Sequence, residues 1–257
     1  VRAAAAPLVR ALWAAATAAA TAAPRLRQNR AKPRPRGRRR RRCSRRRRLS
    51  RPRLRRAAYV VVAWRGAGED MGVSAARNPV RMAVTAWEWG SYYGDAKYQG
   101  AKLDVAKWKR PSPETIPTSA KAAGLYMICT LSKHEAERQG FTDSLMLDHE
   151  GNIAEATGAN IFFKNKLGEL HTPIPDSFLD GITRREVIKI AKSKGIKVIE
   201  RKIKPDEMKN FEGCFLTGTA AEVTPVSQIA EYNFKVCNVI TDLNESYQNL
   251  VRKKTAA

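Results

Sequence analysis

The stretch Leu147-Asp148-His149-Glu150-Gly151-Asn152-Ile153-Ala154-Glu155-Ala156-Thr157-Gly158-Ala159-Asn160-Ile161-Phe162-Phe163 decides how the chain folds. Asp148-His149-Glu150-Gly151 predicts a turn, because short polar residues and a glycine supply tight backbone. The β-branched and aromatic residues beyond it predict strands around Ile153 and over Ile161–Phe163. Glu155 is a lone acid among small and apolar neighbours. Such a carboxylate is costly to bury unless a cation pairs with it. The plainer reading is a solvated strand glutamate.

Working outward, strands and helices alternate irregularly, which gives an α+β class. Tyr59–Trp64, Val80–Trp87 and Leu103–Trp108 predict strands on the N-terminal side. Leu125, Ile128, Leu131 and Ala136 lie close to one face of a helix over 123–139, with Gly140 as its stop. Ser144–Leu147 predicts another strand, and Asn165-Lys166-Leu167-Gly168 a hairpin loop into Leu170. The clearest helix is Thr183–Lys194. There Thr183 and Glu186 fit a capping box, Val187, Ile190 and Ala191 form the inner stripe, and Gly195 ends it. A strand over Ile196–Ile203, a short helix over 205–210 and a buried strand over Cys214–Thr217 follow.

Three more segments carry candidate chemistry. Thr115-Ile116-Pro117-Thr118-Ser119-Ala120-Lys121-Ala122-Ala123-Gly124 places a lysine between small residues. Small neighbours leave room for a ring beside the amine, and apolar walls around it would turn the amine into a nucleophile. A solvated surface lysine is the commoner case. Leu179-Asp180-Gly181-Ile182-Thr183-Arg184 opens the best helix, so free N–H groups and a hydroxyl face an incoming anion, or simply cap the helix. In Leu216-Thr217-Gly218-Thr219-Ala220-Ala221-Glu222 a strand ends in small residues. Their amides can converge on phosphate or carboxylate oxygens, or form a plain turn.

The net charge of +24 is uneven. Residues 1–58 hold 21 Lys and Arg and no acid, leaving 27 basic against 24 acidic residues beyond. That Ala/Arg/Pro tail repels itself and has too few large apolar groups to order, so disorder is expected. It reads as a targeting peptide, a nucleic-acid-binding arm, or non-native translation of GC-rich DNA; its monotony favours the last. Cys43, Cys129, Cys214 and Cys237 form no CxxC pair, and His134, His149 and His171 have no metal-ligand spacing, so no metal site is predicted. The Ala-rich run near Trp13 is interrupted by Arg10 and Arg25 and is too weakly apolar for a membrane helix.

In their order and wording, TIPTSAKAAG (115–124), LDHEGNIAEATGANIFF (147–163), LDGITRREVI (179–188) and LTGTAAEVTPV (216–226) resemble the branched-chain-amino-acid aminotransferases. These are fold-type-IV, class-IV pyridoxal-phosphate enzymes. The resemblance also covers Arg65-Gly66, Met71-Gly72-Val73, Arg77-Asn78-Pro79-Val80 and Ala86-Trp87-Glu88-Trp89-Gly90-Ser91-Tyr92. The GTAAEVTP and TIPTSAK wording favours the branched-chain enzymes over D-amino-acid aminotransferases and aminodeoxychorismate lyases.

The resemblance implies a large-domain pseudo-barrel over 99–257, a remnant of a small α/β domain over 58–98, and a tail over 1–57 foreign to the family. It implies that Lys121 carries pyridoxal 5'-phosphate and moves the substrate proton. Glu155 would pair with the pyridine nitrogen and keep it protonated, so that the ring accepts electrons. Tyr126 would stand beside the phenolic oxygen, and Asn160 next to the cofactor. Ile182, Thr183, Gly218 and Thr219 match phosphate-cradling positions, where a helix start favours a dianion. Thr219, Ala220 and Tyr92 match substrate positions. The implied reaction moves the amino group of leucine, isoleucine or valine to 2-oxoglutarate. The implied setting is a cytoplasmic homodimer or higher homo-oligomer, or an organelle if the tail is a transit peptide. Nucleic acid would be touched only non-specifically, through the tail.

Departures from the family pattern weaken the expected activity. The small domain's phosphate-clamping arginine has no counterpart, and a Tyr-(Ile/Val)-Arg-Pro strand reads Tyr59-Val60-Val61-Val62. Gly-Gly-Asn becomes Ala123-Gly124-Leu125, and Gly-Glu-Asn becomes Gly158-Ala159-Asn160.

Overall fold

A computed structural model describes residues 57–68, 72–88, 90 and 92–252. The expected disorder of the tail lies outside the described residues, except that Ala57, its last residue, already begins a strand. The motif residues Met71, Trp89 and Ser91 also lie outside them.

β1 (Ala57–Arg65) and β2 (Val80–Glu88) form an antiparallel sheet of their own, in unbroken register from Ala57↔Glu88 to Arg65↔Val80. A short helix, α1 (Ala96–Gln99), then leads into β3 (Ala101–Val105). Gly100 makes that entry possible. Its φ is +95, and a Cβ there would lie 2.7 Å from the Ser227 Cβ.

Five more strands complete a closed ring with β3. They are β4 (Asp143–Leu147), β5 (Ile153–Ala156), β6 (Asn160–Asn165), β9 (Phe211–Gly218) and β10 (Glu222–Ile229). β3 runs parallel to β4 and β10, and the remaining pairs are antiparallel. Closure leaves no free edge among these six strands. β7 (Leu170–Thr172) and β8 (Val198–Glu200) extend the sheet from β6, and β11 (Tyr232–Asn233) pairs with β10.

Alternation along the strands sorts side chains to two cores. Leu103, Leu145, Ile161, Phe163, Cys214, Leu216 and Val226 fill the barrel. Phe162, Phe215 and Val223 face outward, against Val187, Ala191, Leu243 and Tyr247 of α3 (Ile182–Ser193) and α4 (Asn238–Val251). Phe162 and Phe215 are register partners and stack at 4.9 Å. Strands buried on both faces lose polar alternation, which is why Ile161-Phe162-Phe163 reads as an unbroken apolar run.

Several expectations shift. β3 starts at Ala101 and ends at Val105, leaving Trp108 exposed beyond the ladder. The helix over 123–139 begins as a 3-10 turn (Ala123–Tyr126) before α2 (Met127–Arg138). The tighter turn rotates the buried stripe to Leu125, Cys129, Ser132 and Ala136, so Leu131 is exposed. No capping box forms at α3. Its N-cap is Gly181, and Thr183 lies inside the helix, buried and hydrogen-bonded at 3.1 Å to Tyr247. The strand over 196–203 shrinks to β8, because only those residues pair with β7. β10, α1 and α4 add to the elements that the sequence pattern predicts.

Candidate active site

The end of β5, the start of β6 and the end of β9 bring several candidate residues together. Glu155 on β5 is 8% exposed, and Asn160 on β6 is its register partner. The Asn160 Nδ2 donates to Glu155 Oε2 at 3.1 Å and to the Leu179 carbonyl at 2.9 Å. Its Oδ1 accepts the Gly181 N–H at 3.2 Å. Asn160 therefore ties the acid to the start of α3, and its amide is spent on that link. A Cβ on Gly181 would come within 2.4 Å of the Asn160 Oδ1, so glycine is required there by close approach.

Burial pushes the Glu155 carboxyl up to about 8, the Arg110 and then the Lys121 charges pull it back, and Asp143 raises it. The plainer reading as a solvated glutamate is thereby overturned. Lys121 is one of the charges that act on Glu155, which puts the amine in the electrostatic neighbourhood of the acid. Lys121 Nζ donates to Tyr126 Oη at 2.9 Å and lies 5.1 Å from its ring. The expected apolar enclosure of Lys121 is not seen. The residue is exposed, as are Ala122, Ala123 and Gly124, whose small side chains cover little.

Asn160 also pairs in register with Thr217, which precedes Gly218 at the end of β9. The turn after Gly218 therefore lies beside the start of α3. A Cβ on Gly218 would sit 3.6 Å from the Gly158 carbonyl, and one on Gly158 would sit 3.7 Å from Tyr92 Oη. Tyr92 and the turn through Thr219 and Ala220 thus flank the same glycine. Thr219, Ala220 and Ile182 are exposed. Tyr92's hydroxyl is raised by burial, then by Asp143 and Glu137.

This set can hold a ring that bears an aldehyde, a protonatable nitrogen and a phosphate. Lys121 is an accessible amine. Glu155 is a buried acid paired on one side only, with Arg110 Nε at 3.5 Å from Oε1. The first turn of α3 contains no acid, and its leading N–H groups have no acceptor within the helix. Thr217 Oγ1, at the end of β9, is buried without a hydrogen-bond partner. An anion is the natural complement of such unmet donors.

The description Amino-transferase class IV matches residues 42–229. The chain belongs to the class IV aminotransferase family. Curated branched-chain-amino-acid aminotransferases are similar to it. The Pseudomonas aeruginosa protein is 36% identical over 193 residues, covering 74% of this chain and 62% of that one. The “probable branched-chain-amino-acid aminotransferase” of Rickettsia conorii is 42% identical over 160 residues, covering 60% of this chain. The chain spans about half the length of such relatives, 54% of the Rickettsia conorii protein. The crystal structure of the T.th. branched-chain amino acid aminotransferase with pyridoxamine 5'-phosphate superposes with a TM-score of 0.72 at 36% identity. The match covers 78% of this chain and 67% of that one.

Within this class IV frame, sequence reasoning missed Arg110 and Asp143. Arg110, in Trp108-Lys109-Arg110-Pro111, resembles any other basic residue in a Lys-rich loop, yet it is 3% exposed. Asp143 is fully buried; it accepts hydrogen bonds from Tyr93 Oη at 2.7 Å, Thr157 Oγ1 at 2.5 Å and the Ser144 N–H at 2.8 Å. Through Thr157 it holds the chain just after β5. The only available signal was an acid placed just before an apolar strand. Arg184, quoted above within a motif, is 1% exposed and bonded to Asp180, Pro173 and Glu200, so it serves the fold. Among the described residues no group of His, Cys, Asp and Glu could hold a metal ion, and no helix is long and apolar enough to cross a membrane.

Proposed function

We propose that the chain is the catalytic part of a branched-chain-amino-acid aminotransferase, moving the amino group of leucine, isoleucine or valine to 2-oxoglutarate with pyridoxal 5'-phosphate. The observation that carries this reading is an accessible lysine bonded to Tyr126 together with a buried acid on a class IV barrel, near a helix start with unmet backbone donors. When bound, the cofactor supplies an electron sink that no side chain offers.

The chain's own residues do the rest. Lys121 takes and returns the substrate proton through Nζ, and Tyr126 fixes that amine by their hydrogen bond. Glu155 holds a proton at the ring nitrogen, where burial makes the contact strong. The start of α3, with Thr183, and the turn from Gly218 to Ala220 offer N–H groups to phosphate and carboxylate oxygens. Tyr92 stands beside the Gly158 turn, where a substrate side chain would lie. A cytoplasmic homodimer belongs to the same proposal. The apolar residues left uncovered on β1 and β2 support association with further polypeptide.

Adding pyridoxal phosphate to the full chain should give a visible absorbance band. Borohydride should fix the label on Lys121, and leucine with 2-oxoglutarate should turn over in preference to D-alanine. A label on a different lysine, in a folded sample, removes the site. Turnover of D-alanine alone keeps the site and removes the substrate assignment.

A further inference from the structure

Arg110 makes five contacts with the parts of the site that must keep register. Its backbone N–H bonds the Leu147 carbonyl at 2.7 Å, which seats it on the end of β4. Nε donates to the Ser177 carbonyl at 3.3 Å, in the loop that leads to Gly181. Nη1 donates to the Leu125 carbonyl at 3.2 Å, beside Tyr126, and to Cys129 Sγ at 3.1 Å on α2. The remaining contact is Nε to Glu155 Oε1 at 3.5 Å. With 3% of its surface exposed, the guanidinium meets little water, so its charge acts on these neighbours almost unscreened.

We propose that Arg110 is a positioning residue for the reaction: it aims the Glu155 carboxylate at the cofactor ring and locks it to the segment bearing Lys121 and Tyr126. The inference rests on the function proposed above and names a residue that acts through Glu155. The geometry suits an arginine, because a planar fork reaches Ser177, Leu125 and Glu155 from one anchored stem. A lysine offers one point charge to the same set.

The charged groups around Glu155 are Arg110, Lys121 and Asp143. Asp143 is occupied by Tyr93, Thr157 and Ser144, and Lys133 Nζ lies 3.9 Å from it. Lys121 is exposed and is the residue proposed to engage the cofactor. Arg110 is therefore the buried cation of the three, and its removal leaves burial and Asp143 to dominate. Burial pushes the Cys129 thiol up, so Cys129 stays a neutral acceptor and adds no charge.

The test uses the full chain and the variants Arg110→Gln and Arg110→Lys. Glutamine keeps N–H donors for Ser177 and Leu125 but removes the charge; lysine keeps the charge but loses the fork. The first reading is the carboxyl infrared band of carbon-13-labelled glutamate without cofactor, assigned to Glu155 by subtracting Glu155→Gln. Arg110→Gln should titrate roughly one to three pH units higher than the unmodified chain, and Arg110→Lys less than about one. The second reading is pyridoxal phosphate affinity. It should weaken about tenfold or more in Arg110→Gln, the equivalent of about 1.4 kcal/mol, with partial rescue in Arg110→Lys. If Arg110→Gln melts at a lower temperature but leaves both readings unchanged, Arg110 is a structural tie only and the inference is overturned. If Arg110→Gln fails to fold, Arg110→Lys decides it: an unmoved band beside weakened affinity supports the fork, and both unmoved overturn it. If the unmodified chain binds no pyridoxal phosphate while the infrared band still shifts, the proposed function is lost and the Arg110–Glu155 pairing stands.

Discussion

β1–β2 and β9–β10 are both long antiparallel pairs, nine residues per strand in the first and eight in the second. Each has its backbone ladder satisfied in register. Their side chains differ in what they meet. Cys214, Phe215 and Leu216 are fully buried, whereas Val61, Met82 and Val84 are 63%, 69% and 59% exposed. Backbone pairing contributes little net stability, since unfolded amides bond to water, and an isolated two-stranded sheet is marginal. Burial on both faces makes β9–β10 rigid, and the turn of that rigid pair carries the candidate amides of Gly218, Thr219 and Ala220. The exposed pair carries no candidate site residue.

The largest effect is expected at Phe215. It stacks on Phe162 and supports α3 and α4, so Phe215→Ala should cost about 3–5 kcal/mol and unfold much of the sample at moderate urea. Urea melts of the full chain measure this. A loss under about 1 kcal/mol would mean that burial on β9 does not set its rigidity.

The next effect concerns pH and the acid on β5. Glu155 titrates near 8 in the fold against an ordinary value of 4.5, so the folded chain binds that proton more tightly than the unfolded chain. Its contribution is fully present below about 4.5 and fades as pH rises to about 8, on the order of a few kcal/mol in all. Melting temperature without cofactor should fall across that window and then level off. Glu155→Gln should flatten this part of the slope, and so should pyridoxal phosphate, by giving the carboxylate a cationic partner. An identical slope in Glu155→Gln would place the titrating group elsewhere.

What the sequence disclosed, and what it hid, follows the same division between local and distant causes. The turn at 148–151, the strands beside it and the helix after Gly181 depend on neighbours, and they were legible. Lys121, Glu155 and the turn after Gly218 were weak candidates on local grounds, and the order and wording of the motifs that hold them singled them out. Arg110 was not, because its importance comes from Ser177, Leu125 and Glu155, up to 67 residues away. The capping box failed for a similar reason: Tyr247, 64 residues on, takes the Thr183 hydroxyl that local reasoning assigned to the backbone. The stripe on α2 was misjudged because a 3-10 first turn shifts its phase.

A smaller effect is expected where the buried hairpin turns. Glu222 has φ +54, a left-handed conformation that side chains with a Cβ adopt at a cost. It is held there by Lys97, by Arg252 and by Gln248 Nε2 at 3.4 Å. Glu222→Gly relieves the backbone but releases all three partners, and Glu222→Gln keeps the shape and loses the charge. We expect both to weaken pyridoxal phosphate affinity, with stability changes of only about 1–2 kcal/mol, because the partners are partly exposed. Unchanged affinity in Glu222→Gly would show that the turn needs no anchor.

The smallest effect is expected on the exposed pair. Val84→Thr in β2 keeps the β-branched shape and exchanges a methyl for a hydroxyl. At 59% exposure little apolar burial is lost and the hydroxyl can reach water. Stability should change by less than about 0.5 kcal/mol in urea melts. A solubility gain without a stability loss would fit a face that meets only solvent in this chain. A loss comparable to a core substitution would mean that Val84 is covered in solution, by a second copy for instance, and dilution of the sample would then reverse the effect if that cover is another molecule.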